Sequence, residues 1–113
     1  MRARMGTMAK VTVEPEGFVF ETAVGQTIME AAHDAGLYWP TTCGGQGICT
    51  SCACTIENGA DNLDPMSRSE LRTLSEEMGE ATVAARGLRL ACQARVATGD
   101  VTVSKRGVRR VDV

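Results

Sequence analysis

Cys43-Gly44-Gly45-Gln46-Gly47-Ile48-Cys49-Thr50-Ser51-Cys52 is the stretch on which the reading of this chain turns. Three cysteines stand within ten residues, and 39 residues separate Cys52 from a fourth, Cys92, so the pattern is C-x5-C-x2-C-x39-C. Glycine fills three of the five positions between Cys43 and Cys49. Lacking a Cβ, glycine tolerates positive φ and lets backbone come close to a bound group. N–H groups turned inward can then donate to sulfur, and a concavity of N–H dipoles favours negative charge. The loop therefore suits a metal–thiolate centre, with a distant cysteine pinning it to the body of the fold.

The spacing narrows the choice of metal. A [2Fe–2S] cluster takes four thiolates, two for each iron, and Cys43, Cys49, Cys52 and Cys92 supply that number. A structural zinc Cys₄ site usually uses two C-x2-C knuckles, and only Cys49–Cys52 forms one here. A thioredoxin-like dithiol at Cys49 and Cys52 calls for a helix N-terminus, whereas a strand is expected next. A Rieske centre needs two histidines, and His33 is the sole one in the chain. The C-x2-C-x2-C-x3-C-P run of [4Fe–4S] proteins is absent. Five cysteines in all fit poorly with a secreted disulfide framework and better with metal or redox chemistry in a reducing compartment. The leftover, Cys54, shares a strand face with Cys52, so it reads either as a competing ligand or as a small buried hydrophobe.

Working outward, residues 10–13 and 18–21 read as strands rich in β-branched and aromatic side chains, joined by a turn at Glu14-Pro15-Glu16-Gly17. A helix is expected over residues 27–36, with Thr27 and Glu30 as a capping box, Ile28, Ala31, Ala32 and Ala35 on one face, and Gly36 as its stop. Tyr38 and Trp39 are expected to pack around the base of the cysteine loop rather than to act as an electron relay. Ala53 to Glu57 reads as a strand ended by Asn58-Gly59, and 61–65 as a polar loop. A second helix is expected over 67–78, where Ser67 and Glu70 repeat the capping-box pattern. Residues 88–96 and 101–105 read as two more strands. The tail from Arg106, basic through Arg109 and Arg110, is expected to be loose. Residues 1–8 are expected as a flexible N-terminus, 9–105 as the domain and 106–113 as the tail. A helix on one face of a mixed sheet makes the fold class α+β.

Composition sets limits rather than identity. A chain of 113 residues is one domain by the usual prior. Aromatics are only 4%, so the core must rest on aliphatic side chains. A net charge of −2 is unlike a nucleic-acid binder. No stretch approaches the length of a membrane span, and the N-terminal arginines precede no apolar run, so a soluble cytoplasmic protein is expected. Asp61, Asp64, Glu70, Glu76 and Glu77 read either as an acidic docking patch or as an ordinary solvated face.

The motif Cys43–Cys52, taken with Arg89-Leu90-Ala91-Cys92-Gln93, resembles the [2Fe–2S] ferredoxins, and its five-residue first gap is similar to the adrenodoxin and putidaredoxin branch. The resemblance implies a β-grasp fold, a [2Fe–2S] cluster on Cys43, Cys49, Cys52 and Cys92 with Gly44, Gly45 and Gly47 around it, and one-electron transfer without catalysis. It also implies a flavoprotein reductase using NAD(P)H as donor, a cytochrome P450 or other oxygenase as acceptor, no nucleic-acid partner and a monomer. Alternatives are a dedicated redox subunit of one such complex, or a structural zinc or redox-sensing domain. A potential on the order of −150 to −400 mV is expected. The chain departs from the branch in carrying Ala53 where relatives often have histidine, in mixing Arg68 and Arg72 into the second helix, and in a longer loop over Gly79 to Gly87.

Overall fold

Val11 and Val13 alternate with Lys10 and Thr12 along β1 (Met8–Glu14), and their side chains are wholly buried. The computed structural model describes residues 8–41 and 50–111. Here β1 pairs antiparallel with β2 (Phe18–Ala23), from Met8 opposite Ala23 to Val13 opposite Phe18. Thr27 then caps α1 (Ile28–Asp34), and the cap is a full box: the Glu30 N–H donates to Thr27 Oγ1 at 3.1 Å, and the Thr27 N–H donates to Glu30 Oε1 at 3.0 Å. Gly36, at φ +81°, ends the helix in a left-handed conformation that suits a residue without a Cβ.

After α1 come a short β3 (Leu37–Tyr38), β4 (Ala53–Asn58), a 3₁₀ turn over Ala60–Asn62, and α2 (Arg68–Met78). The chain continues through α3 (Glu80–Arg86), β5 (Leu88–Leu90), β6 (Val101–Ser104) and β7 (Arg109–Arg110). Five strands form one mixed sheet in the order β2-β1-β6-β4-β5. Only β1 and β6 run parallel; the other neighbours are antiparallel. Val11 lies opposite Val101 and Val13 opposite Val103, so four buried valines line one face where the two strands meet. Ile28, Ala31 and Ala32 of α1 join them in the core, each with no exposed surface. Burying such side chains contributes about 1.5–3 kcal/mol each for the larger ones.

Three expectations need correction. The stretch from Gly79 to Gly87 is not an enlarged loop but holds α3, whose only buried side chain is Val83. Two turns with one core contact leave almost no periodicity to read. The strand expected over 88–96 stops at Leu90, because the N–H groups of Gln93 and Ala94 turn back to the Leu90 carbonyl at 2.9 and 2.8 Å. The tail is not loose: β7 pairs with β3, Val108 is buried, the Val111 N–H donates to Gly36 O, and the Arg109 guanidinium lies over the Tyr38 ring.

Candidate metal centre

Cys52 enters β4 from a tight turn, in which the Ala53 N–H donates to Thr50 O at 3.0 Å. Three other elements hold that turn. The fully buried Trp39 indole N–H donates to the Cys52 carbonyl at 3.0 Å, and the Ala91 N–H reaches the same oxygen at 3.4 Å. The Lys105 ammonium, just past β6, donates to Ser51 O at 2.7 Å. A buried carbonyl needs such donors, and each one removes a way for the Cys52 sulfur to move.

Cys92 sits on the turn after β5, and α1 holds that turn from one side. The first N–H groups of a helix have no partner within it. Here Ile28 N–H donates to Ala94 O and Met29 N–H to Ala91 O, both at 3.0 Å, so the helix start grips the residues flanking Cys92. A buried ion pair holds the turn from the other side. Glu70, from α2, accepts from Arg89 Nε at 2.8 Å, from Arg89 Nη2 at 3.0 Å and from the Leu90 N–H at 2.8 Å. Arg89 Nη1 also donates to Asp64 O at 2.9 Å. Glu70 is 2% exposed, so it leaves the acidic surface set to which its sequence assigned it; Asp61, Asp64, Glu76 and Glu77 are exposed.

These supports bring the Cys52 and Cys92 sulfurs to 3.5 Å. That is far beyond a disulfide bond length. It is close to the spacing of about 3.8 Å for two thiolates at about 2.3 Å on one tetrahedral metal. The electrostatics point the same way. The Cys52 thiol is held well above its ordinary pKa, first by its hydrogen bond with Cys92 and then by burial. Two buried sulfurs this close cannot both carry negative charge unless a cation sits between them, which is what a metal supplies. The donor set therefore fits an iron of a [2Fe–2S] cluster. The Gln93 side-chain amide, 3.6 Å from Cys92 Sγ, adds a donor toward that sulfur. Cys43, Cys49, Gly44, Gly45 and Gly47 lie outside the described residues.

Cys54 is placed differently. Its side chain points into the core at 2% exposure, and burial pushes its thiol up to about 12, against lesser downward pulls from Lys105 and Arg89. His33 is exposed in the last turn of α1. Sequence reasoning missed Lys105 and the pairing of Glu70 with Arg89. Position 105 offered no signal, since one lysine at a strand end is commonplace. Arg89 offered a weak one, as an arginine inside an otherwise apolar strand.

Comparison with known proteins follows the same line. Residues 11–97 match the family described as the 2Fe-2S iron-sulfur cluster binding domain. The chain is 36% identical over 97 residues to the 2Fe-2S ferredoxin-5 of Aquifex aeolicus, spanning 85% of this chain and 97% of that protein. Among solved structures it is similar to the ISC-like [2Fe-2S] ferredoxin (FdxB) of Pseudomonas putida, with TM-score 0.70 and 33% identity over 86% of this chain and 91% of that one. It is also similar to part of an Amycolatopsis cytochrome P450 reductase, with TM-score 0.69 and 34% identity over 91% of this chain and 28% of that one.

Proposed function

This chain belongs to the 2Fe-2S iron-sulfur cluster binding family, and on that premise we propose that Cys43, Cys49, Cys52 and Cys92 hold its [2Fe–2S] cluster. As a ferredoxin it is an electron carrier rather than an enzyme. The bound cluster accepts and releases one electron, and the chain's own part is to bind it, tune it and present it to partners. The 3.5 Å approach of the Cys52 and Cys92 sulfurs supports these two as ligands, and they would share one iron. Cys43 and Cys49 would complete the set of four thiolates, with Gly44, Gly45 and Gly47 in the sequence around them. The cluster-binding domain of residues 9–105 extends through the packed tail, since β7 and the buried Val108 belong to the same fold.

The surrounding residues work on the two described ligands. Trp39 and Lys105 hold the backbone beside Cys52, while Glu70, Arg89 and the start of α1 hold the turn that carries Cys92. Rigid ligands limit the change in geometry between oxidation states, which favours fast outer-sphere transfer. Electrons pass from a flavoprotein reductase using NAD(P)H to a cytochrome P450 or other oxygenase. The likeness to part of a protein named a cytochrome P450 reductase supports partners of that kind. No described helix is long and apolar enough to cross a membrane. We place a monomeric carrier in the cytoplasm, where reductants keep closely spaced thiols from oxidising.

The test is the visible and low-temperature EPR spectrum of anaerobically purified protein, before and after dithionite, with iron and zinc analysis. The expected result is a brown protein with about two irons per chain and an S = 1/2 signal in the reduced state alone. A colourless protein with one zinc that also resists iron–sulfide reconstitution would remove the electron-transfer function.

A further inference from the structure

Arg86, Lys105 and Arg106 converge on one open cavity of about 290 Å³ beside the turn that begins at Thr50. Its other walls include Thr50, Ser104 and the buried Cys54. The three cations come from two places: Arg86 ends α3, while Lys105 and Arg106 follow β6. No carboxylate lines the cavity among the described residues, although the whole chain carries 14 acidic side chains and a net charge of −2. Arg86 and Arg106 are exposed and make no ion pair among the described residues. The Lys105 ammonium is half-buried, and among the described residues its hydrogen bond goes to the Ser51 carbonyl, with no carboxylate paired to it.

Gathering three like charges in an acidic protein costs free energy. The Arg86 charge has a local justification at a helix C-terminus. Lys105 also braces the Ser51 turn, but among the described residues Arg106 has no ion-pair partner to account for its place in the same cavity. We propose that this cavity is a docking site for an acidic segment of a protein redox partner, with a carboxylate taken between Lys105, Arg86 and Arg106. Charge complementarity selects the partner, and the position selects the purpose. The cavity wall includes Thr50, and Lys105 grips Ser51, so a docked carboxylate lies against the backbone that leads into Cys52. The proposal rests on the electron-carrier reading above.

The experiment is a calorimetric titration of holo-protein with a hexaglutamate peptide at low salt, with the cluster followed in parallel by its visible and EPR spectra. The wild-type protein should bind the peptide. The Arg86→Glu/Arg106→Glu variant, its spectra unchanged, should bind it at least about tenfold more weakly. An Arg109→Glu/Arg110→Glu variant, altered in β7 away from the cavity lining, should bind like wild type. Unaltered binding in the first variant, or equal loss in both, would overturn the site. Saturable binding of inorganic phosphate alone that displaces the peptide would make this a small-anion pocket and overturn the protein-docking assignment. Absence of the cluster spectra would instead strike the function, while the titration still reads the cavity.

Discussion

Cys52 and Cys54 are two residues apart but do not share a strand face as expected, because Cys52 lies in the turn before β4 and only Cys54 is within the strand. Cys52 faces Cys92 at 3.5 Å, while Cys54 is buried in the core at the floor of the basic cavity. Cys52→Ser or Cys92→Ser should therefore abolish normal cluster assembly, and Cys54→Ser should leave visible spectrum and iron content nearly unchanged. Loss of the cluster in Cys54→Ser with retention in Cys52→Ser would reverse the ligand assignment. Glu70 makes a different case. Glu70→Ala strands the Arg89 charge in the interior and frees the Leu90 N–H. Removing one partner of a buried pair costs about 3–5 kcal/mol. Chemical denaturation of the holo-protein should register that loss, and a change below about 1 kcal/mol would mean the pair is not the brace the geometry makes it.

Elements show how one local motif leads to two outcomes. Thr27-x-x-Glu30 and Ser67-x-x-Glu70 are the same capping-box pattern. The first closes in full. In the second, Ser67 Oγ still accepts from the Glu70 N–H at 3.1 Å, but the Glu70 carboxylate turns away to Arg89. A charged, buried, two-point partner outcompetes one exposed backbone N–H. Asn58-Gly59 is read from sequence as the end of a strand, and the fold adds a reason for the glycine. Gly59 has φ +86°, and a Cβ there would collide with the Asp100 carbonyl. Gly59→Ala should destabilise the protein by about 1–3 kcal/mol, seen as a lower Tm with ligand-centre spectra unchanged. A neutral result would show that the Asp100 loop yields freely.

Across the whole molecule, the two described cysteines proposed as ligands meet beside the β4–β5 pair but are braced by different elements. Cys52 is tied to Trp39 and β6, while Cys92 is tied to α1 and α2. A metal joining them cross-links these elements, so its binding free energy becomes folding free energy. Removing iron by chelation under reducing conditions should lower Tm and broaden the transition, and reconstitution should restore both. An apo-protein with unchanged Tm would mean that the fold closes the site without help from the metal.

The cysteine spacing, the glycines between Cys43 and Cys49, the β1–β2 hairpin and the Thr27 cap are local features, and the sequence alone determined the family, the cofactor and the α+β class through them. What only tertiary structure decided are the pairings between residues distant in sequence. Glu70 left the surface for Arg89, Leu88–Val96 was cut to a three-residue strand by the turn that α1 grips, and the basic tail was drawn into a ribbon with β3. Lys105 likewise met Ser51 across 54 positions. Propensity and periodicity report on neighbours within a turn or two of the chain. The partner of a buried charge or an unpaired backbone group is set by which elements pack together, so these contacts exist only once the sheet and helices have assembled.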